Sequence, residues 1–121
     1  MITVGDTFLI PTPPDFKIEH LFIVIIAIND DDVLMVNVTT KTDNSDLSCI
    51  LTIGDHDFVW HDSVINYNDT IKTNIKLLET NLENNKINSH TPISESLLTR
   101  ILKGASNSAY LPEEFKGYFP L

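Results

Sequence analysis

The sequence predicts a mainly β domain: a small barrel over residues 1–73, with helical segments over 74–121 packed on it. Three observations carry that expectation. Short runs of branched and aromatic residues recur through the first two-thirds, each closed by a polar or proline-bearing turn. Apolar residues at helical spacing begin only after Thr73. The chain has 121 residues, enough for one core and too few for two.

The elements follow in order. TFLI (Thr7 to Ile10) comes after Gly5-Asp6, and Pro11, Pro13 and Pro14 end it by removing ladder donors. HLFIVIIAI, opening at His20, is a continuous branched run that suits a strand buried on both faces. Asn29-Asp30-Asp31-Asp32 has the composition of a hairpin turn. VLMVNVTT (Val33 to Thr40) is the next strand and turns polar at its end. KTDNSD makes a second turn, and LSCILTI (Leu47 to Ile53) a further strand closed by Gly54. GDHDFVWHDS, residues 54–63, leads into SVINY and a continuation through Thr70-Ile71-Lys72, the fifth strand. Thr73 is then placed as the N-cap of a helix carrying Ile75, Leu78 and Leu82. Asn88 to Thr91 is assigned as linker. Pro92-Ile93-Ser94 starts a second helix with an apolar face of Leu97, Leu98, Ile101 and Leu102. Gly104 is expected at its C-terminal left-handed position. A short third helix is expected from Pro112 to Gly117, with Glu113 and Glu114 in its first turn.

Composition narrows the function. The formal charge is -9, with eight Lys and Arg against seventeen Asp and Glu. Such a surface repels phosphates and anionic membranes at long range, and no basic stripe with interleaved aromatics marks a sequence-reading nucleic-acid module. LFIVIIAI is far shorter than the roughly 20 residues of a membrane-spanning helix, so no membrane partner is expected. No basic region precedes the apolar residues of the N-terminus, and the single cysteine allows no internal disulfide, so the expected compartment is the cytoplasm.

The opening V-G-D-T-F-L-I-P-T-P-P resembles the first strand and proline-rich loop of the PemK/MazF-like toxins. His20-Leu21 before FIVII, Val38-Thr39 closing VLMVNVTT, and SVINYNDTIKT leading into a helix match later pieces of that pattern. The resemblance covers about residues 3 to 85. It implies an SH3-like barrel, a dimer, an RNA substrate, a cognate antitoxin and cleavage of RNA without a metal or other cofactor. The family's catalytic arginine falls at His20, and its threonine partner matches Thr39. The segment PISESLLTRILKGASNSAYLPEEF extends beyond the usual toxin length and would cover a barrel edge or mediate dimerisation.

Metal-free RNA cleavage needs a base, an acid and donors for the charge on phosphorus. Histidine serves either proton role because its unperturbed pKa is about 6.5. His20 and His61 are the expected acid–base pair, with Thr39 supplying a hydroxyl donor; His56 and Ser63 are candidates for substrate binding. The bland alternative for His20 is a strand-end residue capping a carbonyl. His56, between Asp55 and Asp57, reads as a solvated turn residue, and His90 as structural. Cys49 alternates with Leu47, Leu51 and Ile53, which suits an inert buried thiol. A Cys–His nucleophile, and a metal held by Cys49, His56 and His61 with His20 as a fourth ligand, are further alternatives. Phe58 and Trp60 are expected in core or interface rather than as a base-stacking platform. A rival reading keeps the barrel as a non-catalytic binding module.

Overall fold

The computed structural model describes residues 1–14 and 16–119. Pro120 and Leu121, the end of the expected helical segment, lie outside them. Six strands form one antiparallel sheet: β1 (Thr7–Pro11), β2 (Glu19–Ala27), β3 (Asp32–Thr40), β4 (Ile50–Leu51), β5 (Ser63–Asn74) and β6 (Asn88–His90). Their spatial order is β4-β5-β3-β2-β1-β6. Register breaks at Val24/Ile26 between β2 and β3, and at Met35/Asn37 between β3 and β5, mark bulges. Bulges bend strands and raise local twist, and the sheet is curled into a half-barrel. Helix α1 (Ile75–Glu83) follows β5, and α2 (Glu95–Asn107) and a 3-10 helix (Glu113–Tyr118) follow β6. None of the described helices is long and apolar enough to cross a membrane.

Period-two alternation divides the central strands between two cores. Leu21, Ile23 and Ile25 of β2 and Leu34, Val36 and Val38 of β3 join Ile65 and Tyr67 of β5. That face lies under Leu97, Ile101 and Ala105 of α2 and Phe115 of the 3-10 helix. The opposite set, Phe8, Phe22, Val24, Val33 and Met35, packs with Leu78 of α1 and Ile87. The continuous apolar run of β2 is therefore explained by a sheet covered on both sides. The second face is covered over only part of its length, and this positions the site.

Several elements differ from expectation. LSCILTI pairs only at Ile50–Leu51, and Leu47 and Ile53 are 57% and 74% exposed, so the predicted alternation with Cys49 does not hold. Asn88–His90, expected as linker, pairs with β1. Asn74, rather than Thr73, caps α1 by accepting from Leu77 N at 3.2 Å. Gly104 lies inside α2 and is buried against Tyr67, Ser48 and Cys49, so it is a packing residue rather than a cap. The Asn29–Asp32 turn is as expected: Asn29 Oδ1 accepts from the backbone N–H groups of Asp31 and Asp32, each at 2.8 Å.

GDHDFVWHDS is largely a fastening. Arg100 of α2 donates to Asp55 Oδ1 (2.8 Å) and to the Ile50 carbonyl (2.6 Å), tying the loop after β4 to the helix. The Arg100 guanidinium holds the Asp55 carboxyl below the usual carboxylate range. For Asp46, burial pushes upward but hydrogen bonds from Ser108 and Ser48 outweigh it, and the net shift is again downward. A carboxyl with a depressed folded-state pKa contributes stability above its unfolded value, 3.8, and loses that contribution as pH falls through the folded value. Acid unfolding followed by circular dichroism should therefore steepen below about pH 4. The combined D46N/D55N variant should be less stable at neutral pH and flatter in its acid profile. An unchanged acid slope would refute this account.

Candidate functional site

The face of the sheet that α1 covers changes character along its length. Reading the same parity, β3 runs Val33, Met35, Asn37, Thr39, and β2 runs Val24, Phe22, His20. The apolar half meets Leu78 and its neighbours. The polar half is open, and its side chains line a groove of about 580 Å³ bounded by Thr12, His20, Asn37, Thr39, Asn66 and Asn68. Asn37 stands opposite Asn66 in the β3–β5 register, which brings two amides together on the groove floor.

Two further clefts meet this groove at Thr39. One, of about 410 Å³, runs past Thr40, Asn44, Asp46 and Tyr110. The other, of about 140 Å³, is lined by Glu19, His20, Thr39, Trp60, His61 and Ser63 among its walls. His20, Thr39, His61 and Ser63 therefore share one pocket although they come from β2, β3, the loop before β5 and β5 itself. Thr39 lines all three cavities.

A threonine hydroxyl holds each histidine of this pocket. Thr12 Oγ1 lies 2.8 Å from His20 Nδ1, and Thr40 Oγ1 lies 2.9 Å from His61 Nε2. Thr12 Oγ1 also reaches the Ile18 carbonyl at 3.4 Å. With its proton directed there, it accepts from His20 Nδ1–H and leaves a lone pair on Nε2. Among the described residues neither His20 Nε2 nor His61 Nδ1 has a protein partner. Each ring is thus oriented through one nitrogen with the other available. Ser63 is more committed, because its buried hydroxyl donates to the His61 carbonyl at 3.0 Å.

His56 lies apart. It is 8% exposed, its Nδ1 accepts from Phe58 N–H at 3.0 Å, and its Nε2 donates to the Thr91 carbonyl at 2.5 Å. That donor–acceptor pair describes the neutral ring with its proton on Nε2. His56 is therefore a buried connector between the loop and β6, not a solvated turn residue, and it does not line the histidine pocket. Thr91 also accepts from Thr7 Oγ1 at 2.8 Å through the same carbonyl, so β1, β6 and the loop converge there.

Cys49 is buried in the α2-side core and does not line the pocket with the histidines. Burial pushes its thiol upward, with Arg100 opposing, the reverse of what a thiolate nucleophile needs. The folded protein should resist alkylation by a thiol reagent near neutral pH and react fully in denaturant, as mass spectrometry would show. Rapid labelling of the folded chain would restore the Cys–His reading. Among the described residues no three His, Cys, Asp or Glu side chains gather into a metal-binding group.

Trp60 is not in the core: it is 79% exposed at the pocket mouth. Its ring lies edge-on to His61, with centroids 6.4 Å apart. Phe58 is half-buried and packs against the α2-side core. Thr12, Thr40, Asn37 and Trp60 are the site residues that sequence reasoning did not select. The usable signal for Asn37 was its place in a strand parity that otherwise carries core residues. Among the described residues no Lys or Arg lines any of the three cavities, whereas Glu19, Asp46 and Asp69 do.

Comparison with known proteins finds no family model that matches the chain and no curated protein that matches it.

Proposed function

We propose that the protein is a metal-independent endoribonuclease, the toxin of a toxin–antitoxin pair, acting in the cytoplasm as a homodimer restrained by a cognate antitoxin. The toxin class, the SH3-like barrel type, the dimer and the antitoxin come from the PemK/MazF resemblance. The observation that supports the chemistry is the sharing of one pocket by His20, Thr39 and His61, with a threonine hydroxyl orienting each imidazole.

In this reading His20 Nε2 takes the proton from a ribose 2'-hydroxyl, whose oxygen bonds to the adjacent phosphorus. The bond from phosphorus to the 5'-oxygen breaks, and His61 in its protonated form delivers a proton to that oxygen through Nδ1. The products are a 2',3'-cyclic phosphate and a free 5'-hydroxyl, with no net change of protons. Thr39 donates to a phosphate oxygen as negative charge builds on it. The deciding experiment is cleavage of single-stranded RNA by the parent and by His20→Ala, with growth arrest on expression as the cellular readout.

The absence of Lys and Arg among the described residues of the cavity walls favours a second reading, a binding module that keeps the fold without the nuclease. RNA that stays intact with the parent protein, together with normal growth on expression, selects that reading.

A further inference from the structure

Asn37 is a buried polar residue on the floor of the 580 Å³ groove, 5% exposed, and its Oδ1 has no hydrogen-bond partner. Among the described buried side-chain nitrogen and oxygen atoms it is the only one left so. A valine there would extend the Val33–Met35 pattern without an unsatisfied acceptor. An amide oxygen removed from water with no donor is costly, and a half-turn about the broad terminal torsion of Asn would exchange the places of Oδ1 and Nδ2. What the floor lacks is a hydrogen-bond donor.

The surroundings select the kind of donor. The groove holds the amides of Asn66 and Asn68, the hydroxyls of Thr12 and Thr39, and one carboxylate, Asp69, which accepts from Asn66 Nδ2 at 2.9 Å. Among the described residues it offers no Lys or Arg to a phosphate but offers several groups to the edge of a base, and asparagine commonly reads adenine, its oxygen accepting from the amino group. The groove shares His20 and Thr39 with the histidine pocket, at whose mouth stands the exposed Trp60. Exposed aromatic rings bind single-stranded bases by stacking.

We propose that Asn37 forms a base-reading subsite for a nucleotide whose base carries an exocyclic amino group (adenine, cytosine or guanine), while Trp60 stacks the base on the other side of the scissile phosphate. The inference rests on the endoribonuclease reading and names its substrate preference. Asn37 Oδ1 accepts from the amino group. Uracil has no amino group: its one edge donor is a ring N–H flanked by two carbonyl oxygens, which repel an approaching amide oxygen.

The test uses the full chain and 2'-O-methyl homodinucleotides of the four bases, which cannot be cleaved because the attacking hydroxyl is blocked. Affinity is read by titration calorimetry and by fluorescence of Trp60, the one tryptophan in the chain. CpC is expected to bind about tenfold more tightly than UpU. Asn37→Leu should bring that ratio close to one, chiefly by weakening CpC. It should also raise the melting temperature, since the unsatisfied oxygen is gone. Trp60→Ala should weaken all four dinucleotides by a similar factor, about tenfold. Equal binding of CpC and UpU by the parent protein overturns the Asn37 subsite, whatever the cleavage assay shows. Unaltered affinities in Trp60→Ala overturn the stacking site. An intact CpC preference with no cleavage of 2'-hydroxyl RNA would instead remove the nuclease reading and leave the subsite standing.

Discussion

Replacing His20 by alanine is expected to lower the rate of RNA cleavage by about a hundred- to ten-thousand-fold, the range associated with losing a general acid or base. On the proposed nuclease reading the loss should fall on kcat more than on KM, because there the imidazole moves a proton and other groups in the clefts would provide most of the contacts. His61→Ala should give a loss of the same order. The double variant should lose much less than the product of the two, since one proton transfer is of limited use without the other. Thr12→Val keeps the ring but removes the hydroxyl 2.8 Å from His20 Nδ1, so a smaller fall in kcat is expected, without a loss of fold. Circular dichroism should show His20→Ala folded, because the ring contacts the groove rather than either core. A His20→Ala protein that cleaves RNA and arrests growth like its parent removes the assignment.

The strands that build the site were legible because hydrophobic period and turn chemistry agree. HLFIVIIAI was readable as a strand buried on both faces, and the structure has α2 below one face and α1 over part of the other. The same parity rule could have located the groove, since it marks where Val33 and Met35 give way to Asn37 and Thr39. A polar strand end, however, reads first as the approach to a turn. His20, Thr39 and His61 were each selected, but their meeting depends on the β2–β3–β5 pairing, which no local pattern encodes.

The failures have physical causes too. Cys49 seemed to belong to an alternating strand, yet pairing lasts only two residues there, and Leu47 and Ile53 lie in the exposed chain on either side. His56 sits among aspartates, as a solvated turn residue would. Its burial comes from the Thr91 carbonyl 35 positions away, a tertiary contact that composition does not announce. Trp60 illustrates the converse. Core or interface is the expectation for it, and the core half does not hold. The loop that carries it is anchored through Asp55 and His56, and its ring is left in solvent.

Gly104→Ala is expected to destabilise the protein, against the usual helix preference. In the interior of a helix that exchange normally gains about 1 kcal/mol from propensity and reduced backbone freedom. Here an added Cβ would meet the Tyr67 hydroxyl closely, the Ser48 carbonyl at 2.9 Å and Cys49 Cβ at 3.0 Å. None of these groups can yield freely. The Tyr67 hydroxyl donates to the Ile101 carbonyl at 2.7 Å, Ser48 contributes backbone, and Tyr67 and Cys49 are both buried. Overpacking a filled core costs about 1–3 kcal/mol, and breaking a buried hydrogen bond adds about 1–3 kcal/mol more. Against the propensity gain the net loss is roughly 3 kcal/mol, about 12 °C in melting temperature for a domain of this size. Tyr67→Phe supplies the decisive comparison. It removes the oxygen nearest the new methyl, so the two changes together should cost less than their sum, by about 1 kcal/mol in a double-mutant cycle. A G104A protein as stable as the parent, or strict additivity with Y67F, would show that α2 can move off the sheet at this contact, and the reading of Gly104 as a close-packing residue would fall.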